Sequence, residues 1–304
     1  MVMRVLVTGA GGMSGARVVM ELLARGWYVT AVVGRSDARL HGRSETNDRL
    51  TVVRCDLSEA ADLPEPLDAI VHTAARSPGP GVQVDDLVRD NVLATRRLVA
   101  HAQRAGVRTF INFSSLSVYG RIAGAVVDES TPRVDPDVYG TTKFLGEQLV
   151  AAQGASFRSL SLRLPGILGP GAGRNWLTRV LAAARAGETV RIVNPDAPFN
   201  NAAHVDDLAR LVADALDGAW TGADAVTLGA AEYLTVRDVV GTLVAATGGR
   251  SVVKAAPDGS GSFTVSSARA EALYGYRPMG IRAMLALYAA ENMAPNTDWP
   301  VCPN

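Results

Sequence analysis

The sequence predicts a doubly wound α/β fold, a parallel sheet with helices on both faces, followed by a smaller C-terminal lobe. Short apolar, β-branched runs alternate with segments of helical spacing, which implies right-handed βαβ units. The first of these runs feeds a glycine-rich turn that opens a helix. Length is the third observation: 304 residues can bury an ample core and hold one large domain with a smaller partner.

Taken in order, strands are expected over residues 4–7, Tyr28–Val33, Leu50–Arg54, Ala69–His72, 109–113 and 159–164, with helices near 15–25, 86–105 and 138–153 between them. After Leu164 the texture turns loop-rich through Gly173. Trp176–Ala186 then reads as a helix and 190–193 as a short strand. Val205–Asp217 is a further helix, entered through His204-Val-Asp-Asp207, whose acids suit a helix N-terminus. Residues 226–228 suit a last sheet strand, and two more helices follow Thr235, with a glycine- and serine-rich link at 258–262. The expected division is a first domain over 1–164, rejoined by 201–228, a smaller lobe from 165–200 and 229–293, and a tail over 294–304.

Composition narrows the function classes. Thirty basic residues balance thirty acidic ones, so nothing suggests nucleic acid or an anionic membrane as partner. No apolar run reaches the roughly twenty residues that span a bilayer, and the first strand begins without a signal-peptide layout. Cys55 and Cys302 lack metal-ligand spacing, so no metal is expected and two unpaired thiols in a reducing cytoplasm are.

The turn Thr8-Gly-Ala-Gly-Gly-Met-Ser-Gly15 carries the first chemistry. A strand entering a helix through such a turn gathers free backbone N–H groups and the positive end of the helix dipole at one point. Glycines at 9, 12 and 15 let the turn tighten, a pyrophosphate approach, and the helix pack on the strand. The cofactor-binding positions here are Gly9, Gly12, Met13 and Gly15. On its own the spacing also suits an ordinary strand-to-helix turn.

Further along, Tyr139-Gly-Thr-Thr-Lys143 opens a helix. A spacing of four puts phenol and ammonium on one face, and the ammonium favours the phenolate, so Tyr139 can serve as general acid or base. Asn112-Phe-Ser-Ser-Leu-Ser-Val-Tyr-Gly120 lies at the end of a central strand, where ligands bind in such sheets. Ser115 is the candidate hydroxyl, with Ser114 and Ser117 as rivals whose alternative use is capping or turn bonding.

With these residues in view, the chain resembles the short-chain dehydrogenase/reductase superfamily, in particular its extended branch, the NAD-dependent epimerase/dehydratase family. The resemblance runs through T-G-A-G-G-M-S-G at 8–15, Cys55-Asp-Leu57, His72-Thr-Ala-Ala75, Asn91-Val92, S-S-L-S-V-Y-G at 114–120, Y-G-T-T-K at 139–143, Leu162-Arg-Leu-Pro-Gly-Ile-Leu-Gly-Pro170 and His204-Val-Asp-Asp-Leu-Ala209. It implies a Rossmann-type fold with a substrate-binding lobe. By position it implies that Ser115, Tyr139 and Lys143 are catalytic, Lys143 also holding ribose. Asp56 and Leu57 would flank the adenine, Ala74 and Ala75 line the path to the nicotinamide, and Pro165 to Ile167 meet the carboxamide. Asn91 would be a supporting or ribose-side residue, and His204 would cap or pack beside Asp206.

The second strand closes as Ala31-Val-Val-Gly-Arg-Ser36, with no acid before Asp37, so Arg35 and Ser36 favour the 2′-phosphate of NADP over NAD. NADPH use fits net carbonyl reduction. The expected activity is thus hydride transfer at a keto or hydroxyl group of a nucleotide-sugar-like small molecule. A nucleotide-sugar epimerase with internally recycled NAD is the alternative, and a non-catalytic dinucleotide sensor is the alternative of a different class. Where the resemblance implies a diphosphate-binding Arg, this chain has Asn200. Arg174, Arg179 or Arg191 could compensate, and Ser115, Asn175 and Asn200 are the candidate substrate contacts. The resemblance also implies a homodimer through the helices near 86–105 and 136–153, with Ala94, Leu98, Leu145 and Leu149 as apolar surface.

Overall fold

In the computed structural model, residues 2–34, 36, 38–59, 63–173, 175–256 and 261–293 are described. They form two compact units. The first comprises Met1–Arg121, Pro132–Arg163 and Leu208–Val226; the second comprises Ile122–Thr131, Leu164–Asp207 and the described part of Thr227–Asn304.

The first unit is built on seven strands: β1 (Arg4–Thr8), β2 (Tyr28–Val33), β3 (Leu50–Arg54), β4 (Ala69–His72), β5 (Thr109–Ser115), β6 (Arg158–Leu164) and β7 (Ala223–Thr227). Their order is β7-β6-β5-β4-β1-β2-β3, so the chain winds outward from β1 in both directions. β1 pairs in parallel with both β2 and β4, Val5 meeting Val29 on one side and Ala69 on the other. The central strands are continuous apolar runs because helices cover both faces: every residue of β4 and all but the last of β5 are buried. Helix α1 (Met13–Ala24) follows β1. Helix α2 runs through Val84–Leu87, a π-helical segment Val88–Leu93, and Ala94–Arg104. Helix α3 (Val138–Ala151) packs against β5. Under these helices Leu6, Ile70, Leu98, Phe110, Val150 and Phe157 share one core cluster.

The second unit carries α4 (Trp176–Ala186), the start of α5 (Val205–Asp217), α6 (Val236–Ala246), α7 (Ala268–Tyr274) and α8 (Ile281–Met293). Leu181, Val240, Leu243, Met284 and Leu285 are at its centre. Its strands are short pairs: Gly166–Leu168 lies parallel to Ala202–His204, and Val190–Ile192 parallel to Val253–Ala255.

Several expectations are corrected. Residues 122–131 join the second unit, because Val126–Val127 pairs with Thr264–Val265, a partner too distant in sequence to be read from local pattern. Residues 201–207 also stay with the second unit. Three helices, not two, follow Thr235 among the described residues, and the last sheet strand begins at Ala223 instead of 226. Of the link at 258–262, residues 258–260 lie outside the described residues, as does the tail 294–304 with Cys302; Cys55 is a free thiol.

Candidate active site

A parallel sheet aligns the carboxyl ends of its strands along one edge. That edge collects Gly9 to Gly15 after β1, Ser36 after β2, Asp56 and Leu57 after β3, Ala74 and Ala75 after β4, and Ser115 at the end of β5. In the turn, Gly9 has φ +67°, and a Cβ there would stand 2.7 Å from the Ala74 nitrogen. A Cβ at Gly15 would overlap the Gly9 carbonyl, and one at Gly11 the Ser36 carbonyl, so Gly11 is a third crowded glycine that the spacing did not single out. Gly12 is different: its Cβ would meet only the Gly9 oxygen, at 3.2 Å, and it N-caps α1 with no side-chain cap and no acid in the first turn. An open, uncapped helix N-terminus beside Met13 fits the pyrophosphate of a dinucleotide.

A buried hydrogen-bond chain fixes the neighbouring loop. Thr73 Oγ1 donates to the Thr8 carbonyl at 2.7 Å, and the Ala74 N–H donates to Thr8 Oγ1 at 3.3 Å. The Thr95 hydroxyl donates to the Asn91 carbonyl at 2.6 Å, so its oxygen accepts from His72 Nε2 at 3.0 Å. His72 Nδ1 is then the acceptor for the Thr8 hydroxyl at 2.7 Å. Burial, reinforced by the Lys143 ammonium, pushes the His72 imidazole down to about 3 and keeps it neutral. Asn91 is buried and spent on protein: Oδ1 accepts the Arg76 N–H at 2.7 Å, while Nδ2 donates to the Arg76 carbonyl at 2.9 Å and Thr142 Oγ1 at 3.1 Å. It ties the loop carrying Ala74 and Ala75 to α3.

Helix α3 is N-capped by Asp137, whose Oδ1 accepts the Gly140 N–H at 2.7 Å. A Cβ at Gly140 would overlap the Ser117 carbonyl, so the first turn of α3 lies directly on the turn Leu116–Tyr119 that follows Ser115. This close approach brings Tyr139 to the end of β5. One turn on, Lys143 is 6% exposed, and burial pushes its ammonium down to about 8, opposed by the Glu147 carboxylate. Of the three serines, Ser114 is buried and its hydroxyl donates to Glu147 Oε1 on α3 at 2.6 Å. Ser115 is half-buried; its oxygen accepts the Ser117 N–H and its hydroxyl donates to Ser117 Oγ, both at 3.1 Å. The bond to Glu147 commits the Ser114 hydroxyl, while Ser115 and Ser117 stay paired with each other at the strand end.

On the cofactor side, Arg35 lies outside the described residues. Ser36 is exposed, and two arginines not singled out from the sequence lie nearby: Arg39 donates to the Gly11 carbonyl in the turn after β1 at 3.3 Å, and Arg54 to the Gly34 carbonyl just beyond β2 at 2.7 Å. Asp56 is an exposed carboxylate held below its ordinary range by the Ser58 hydroxyl and N–H.

Pro165, Ile167, Asn175 and Asn200 belong to the second unit. Asn175 caps α4, its Oδ1 accepting the Thr178 N–H at 3.0 Å while Nδ2 donates to the Ile167 carbonyl at 2.9 Å. Asn200, expected as a substrate contact, is instead a buried staple: Nδ2 donates to the Val265 and Ala230 carbonyls at 2.8 and 3.2 Å, and Oδ1 accepts the Val265 N–H at 2.8 Å. Both of its donor hydrogens are spent. Arg179 and Arg191 are exposed, and Arg174 lies outside the described residues. His204 accepts the Asp206 N–H on Nδ1 at 3.3 Å and faces Glu291 through Nε2 at 3.1 Å, a capping and packing role.

The NAD dependent epimerase/dehydratase family matches residues 5–227. A 3 beta-hydroxysteroid dehydrogenase/Delta 5-->4-isomerase of Mycobacterium tuberculosis is 37% identical over 185 residues, 55% of this chain and 48% of that protein. The chain thus spans about half the length of this relative. A 2-alkyl-3-oxoalkanoate reductase of Stenotrophomonas maltophilia is 30% identical over 266 residues, 83% of this chain and 78% of the relative. Among solved structures, MoeE5 in complex with UDP-glucuronic acid and NAD matches with a TM-score of 0.78 at 28% identity, over 95% of this chain and 98% of that one.

Proposed function

The chain belongs to the NAD dependent epimerase/dehydratase family, and from that premise we propose that it is an NAD(P)-dependent oxidoreductase working at a keto or hydroxyl group through Ser115, Tyr139 and Lys143. The observation that carries this reading is the buried Lys143 one helical turn beyond Tyr139, on a helix seated against the strand end that bears Ser115. Gly9, Gly12, Met13 and Gly15 would hold the pyrophosphate, Asp56 and Leu57 the adenine, and Ala74 and Ala75 the path to the nicotinamide. When bound, the nicotinamide supplies hydride transfer. Tyr139 gives its phenolic proton to the substrate oxygen in reduction and takes it back in oxidation. Ser115 hydrogen-bonds the same oxygen and stabilises the charge that develops there. Lys143 lowers the cost of the Tyr139 phenolate.

NADP is the favoured cofactor. Ser36, the guanidinium groups of Arg39 and Arg54, and the lack of an acid within β2 or at Gly34 all suit a 2′-phosphate. A nucleotide-sugar-like substrate is the first reading, supported by the UDP-glucuronic acid complex of MoeE5. One observation favours a second: Asn200, where the family resemblance implies a diphosphate-binding Arg, is locked on backbone. That suits a ketone without a diphosphate, of the kind named for the steroid dehydrogenase and the oxoalkanoate reductase. Among the described residues no helix is long and apolar enough to cross a membrane. The proposal keeps a homodimer and a cytoplasmic location.

The test titrates NADPH and NADH against wild type and Tyr139→Phe by nicotinamide fluorescence. Turnover is then measured over UDP-sugars, oxo-steroids and 2-alkyl-3-oxoalkanoates. We expect the variant to bind dinucleotide within about twofold of wild type while turnover drops about 100-fold or more. Equal turnover would overturn the assignment of Tyr139.

A further inference from the structure

Glu147 stands four residues beyond Lys143 on α3 and is 3% exposed. Its carboxylate receives a bidentate pair from Arg163 on β6, Nε to Oε1 at 3.0 Å and Nη2 to Oε2 at 2.8 Å. The Ser114 hydroxyl donates to Oε1 at 2.6 Å, and the remaining Arg163 nitrogen, Nη1, donates to Tyr119 Oη at 2.8 Å. One buried ion pair therefore joins α3, β5, β6 and the turn Leu116–Tyr119, and it grips the residue next to Ser115. A buried pair is a poor device for stability alone, since well-packed apolar residues commonly do as well or better. Two titratable groups act together with Lys143. His72, from β4, is neutral, and Glu147 is the carboxylate that acts on the ammonium.

We propose that Glu147 is a positioning residue of the active site, keeping the Lys143 ammonium charged while its pairing with Arg163 limits how much of that carboxylate Lys143 feels. The inference rests on the reading of Lys143 as the cation that serves Tyr139. It assigns Glu147 and Arg163 opposite effects on Lys143.

The composition makes this directly measurable, because Lys143 and Lys254 are the two lysines of the chain. Protein labelled with 13C at lysine Cε gives two resonances, and that of the exposed Lys254 is present as a reference in every variant. Followed against pH in the folded chain without substrate, Lys143 should titrate near 8 in wild type. Glu147→Gln should move that midpoint down by about one unit, and Arg163→Met should move it up by about as much. Either single variant leaves a buried charge unpaired and can lose its fold. The double variant Glu147→Gln/Arg163→Met removes both charges, and its midpoint should lie below that of wild type. A Lys143 midpoint that stays put in the folded variants, or that rises on loss of Glu147, overturns the proposal. Turnover of Lys143→Met equal to wild type would instead overturn the oxidoreductase reading and leave the titration result standing.

Discussion

A Cβ at Gly15 would overlap the Gly9 carbonyl, whereas one at Gly12 would meet only that same oxygen at 3.2 Å. Gly15→Ala should therefore lose the turn itself, seen as a fall in melting temperature together with loss of dinucleotide binding. Gly12→Ala should keep its melting temperature within a few degrees yet bind NADPH roughly tenfold or more weakly, because the added methyl stands where a pyrophosphate would approach. Equal binding by Gly12→Ala would remove that residue from the site. Asn200 gives the converse case. Removing its amide strands a buried N–H and two carbonyls, so Asn200→Ala should cost roughly 3 kcal/mol in urea unfolding. Asn200→Arg, the cation that a diphosphate site would want, should unfold the second unit instead of tightening substrate. These residues also mark how far the sequence could be read. Tyr139 and Lys143 were legible because a helix puts them on one face by spacing alone. Asn200 was not, since the Ala230 and Val265 backbone that consumes it lies 30 and 65 residues away. Ser114 could be set aside only through the bond its hydroxyl makes to Glu147, 33 residues away.

Among the elements, α2 was foreseen as a helix near 86–105, but helical periodicity carries no sign of the π segment Val88–Leu93 within it. That segment turns consecutive residues toward one loop: Asp90 Oδ2 accepts Arg76 Nε at 2.8 Å, and Asn91 holds the Arg76 backbone. The same helix supplies Thr95 to His72 at the end of β4, so loop, helix and strand share one buried polar chain. Its cost appears in acid. In the unfolded chain His72 takes a proton near its ordinary 6.5, while in the folded chain it does so only near 3. Across that window the unfolded state binds more protons, so stability falls as pH drops, by at most about 1.4 kcal/mol per unit from this group. His72→Gln, which keeps a donor toward Thr95, should flatten the stability slope between pH 6 and 4 relative to wild type. Parallel slopes in urea unfolding at each pH would show that His72 is not the group responsible.

For the molecule as a whole, the sequence anticipated the doubly wound parallel sheet of the first unit through its alternating elements, yet missed that residues 122–131 leave that unit. A two-residue strand has too little pattern to declare its partner. Assembly shows the same boundary between local and distant information. The apolar residues expected to face a second subunit were Ala94, Leu98, Leu145 and Leu149. Leu98 is 1% exposed inside the core cluster and Ala94 is buried beside it, so neither can serve a partner. Leu145 on α3 is 44% exposed, and Val84, Val88 and Leu93 on α2 are exposed as well, leaving apolar surface on both α2 and α3. If this surface joins two copies, wild type should elute as a dimer in size-exclusion chromatography with light scattering. Leu145→Glu should then elute as a monomer without loss of secondary structure, because a charge is driven into an apolar contact. Leu98→Ala should act in the other currency: it leaves the oligomeric state alone and lowers stability by about 2–5 kcal/mol through the cavity it opens. A monomeric wild type at micromolar concentration would refute the dimer, and dimeric Leu145→Glu would move the interface off α3.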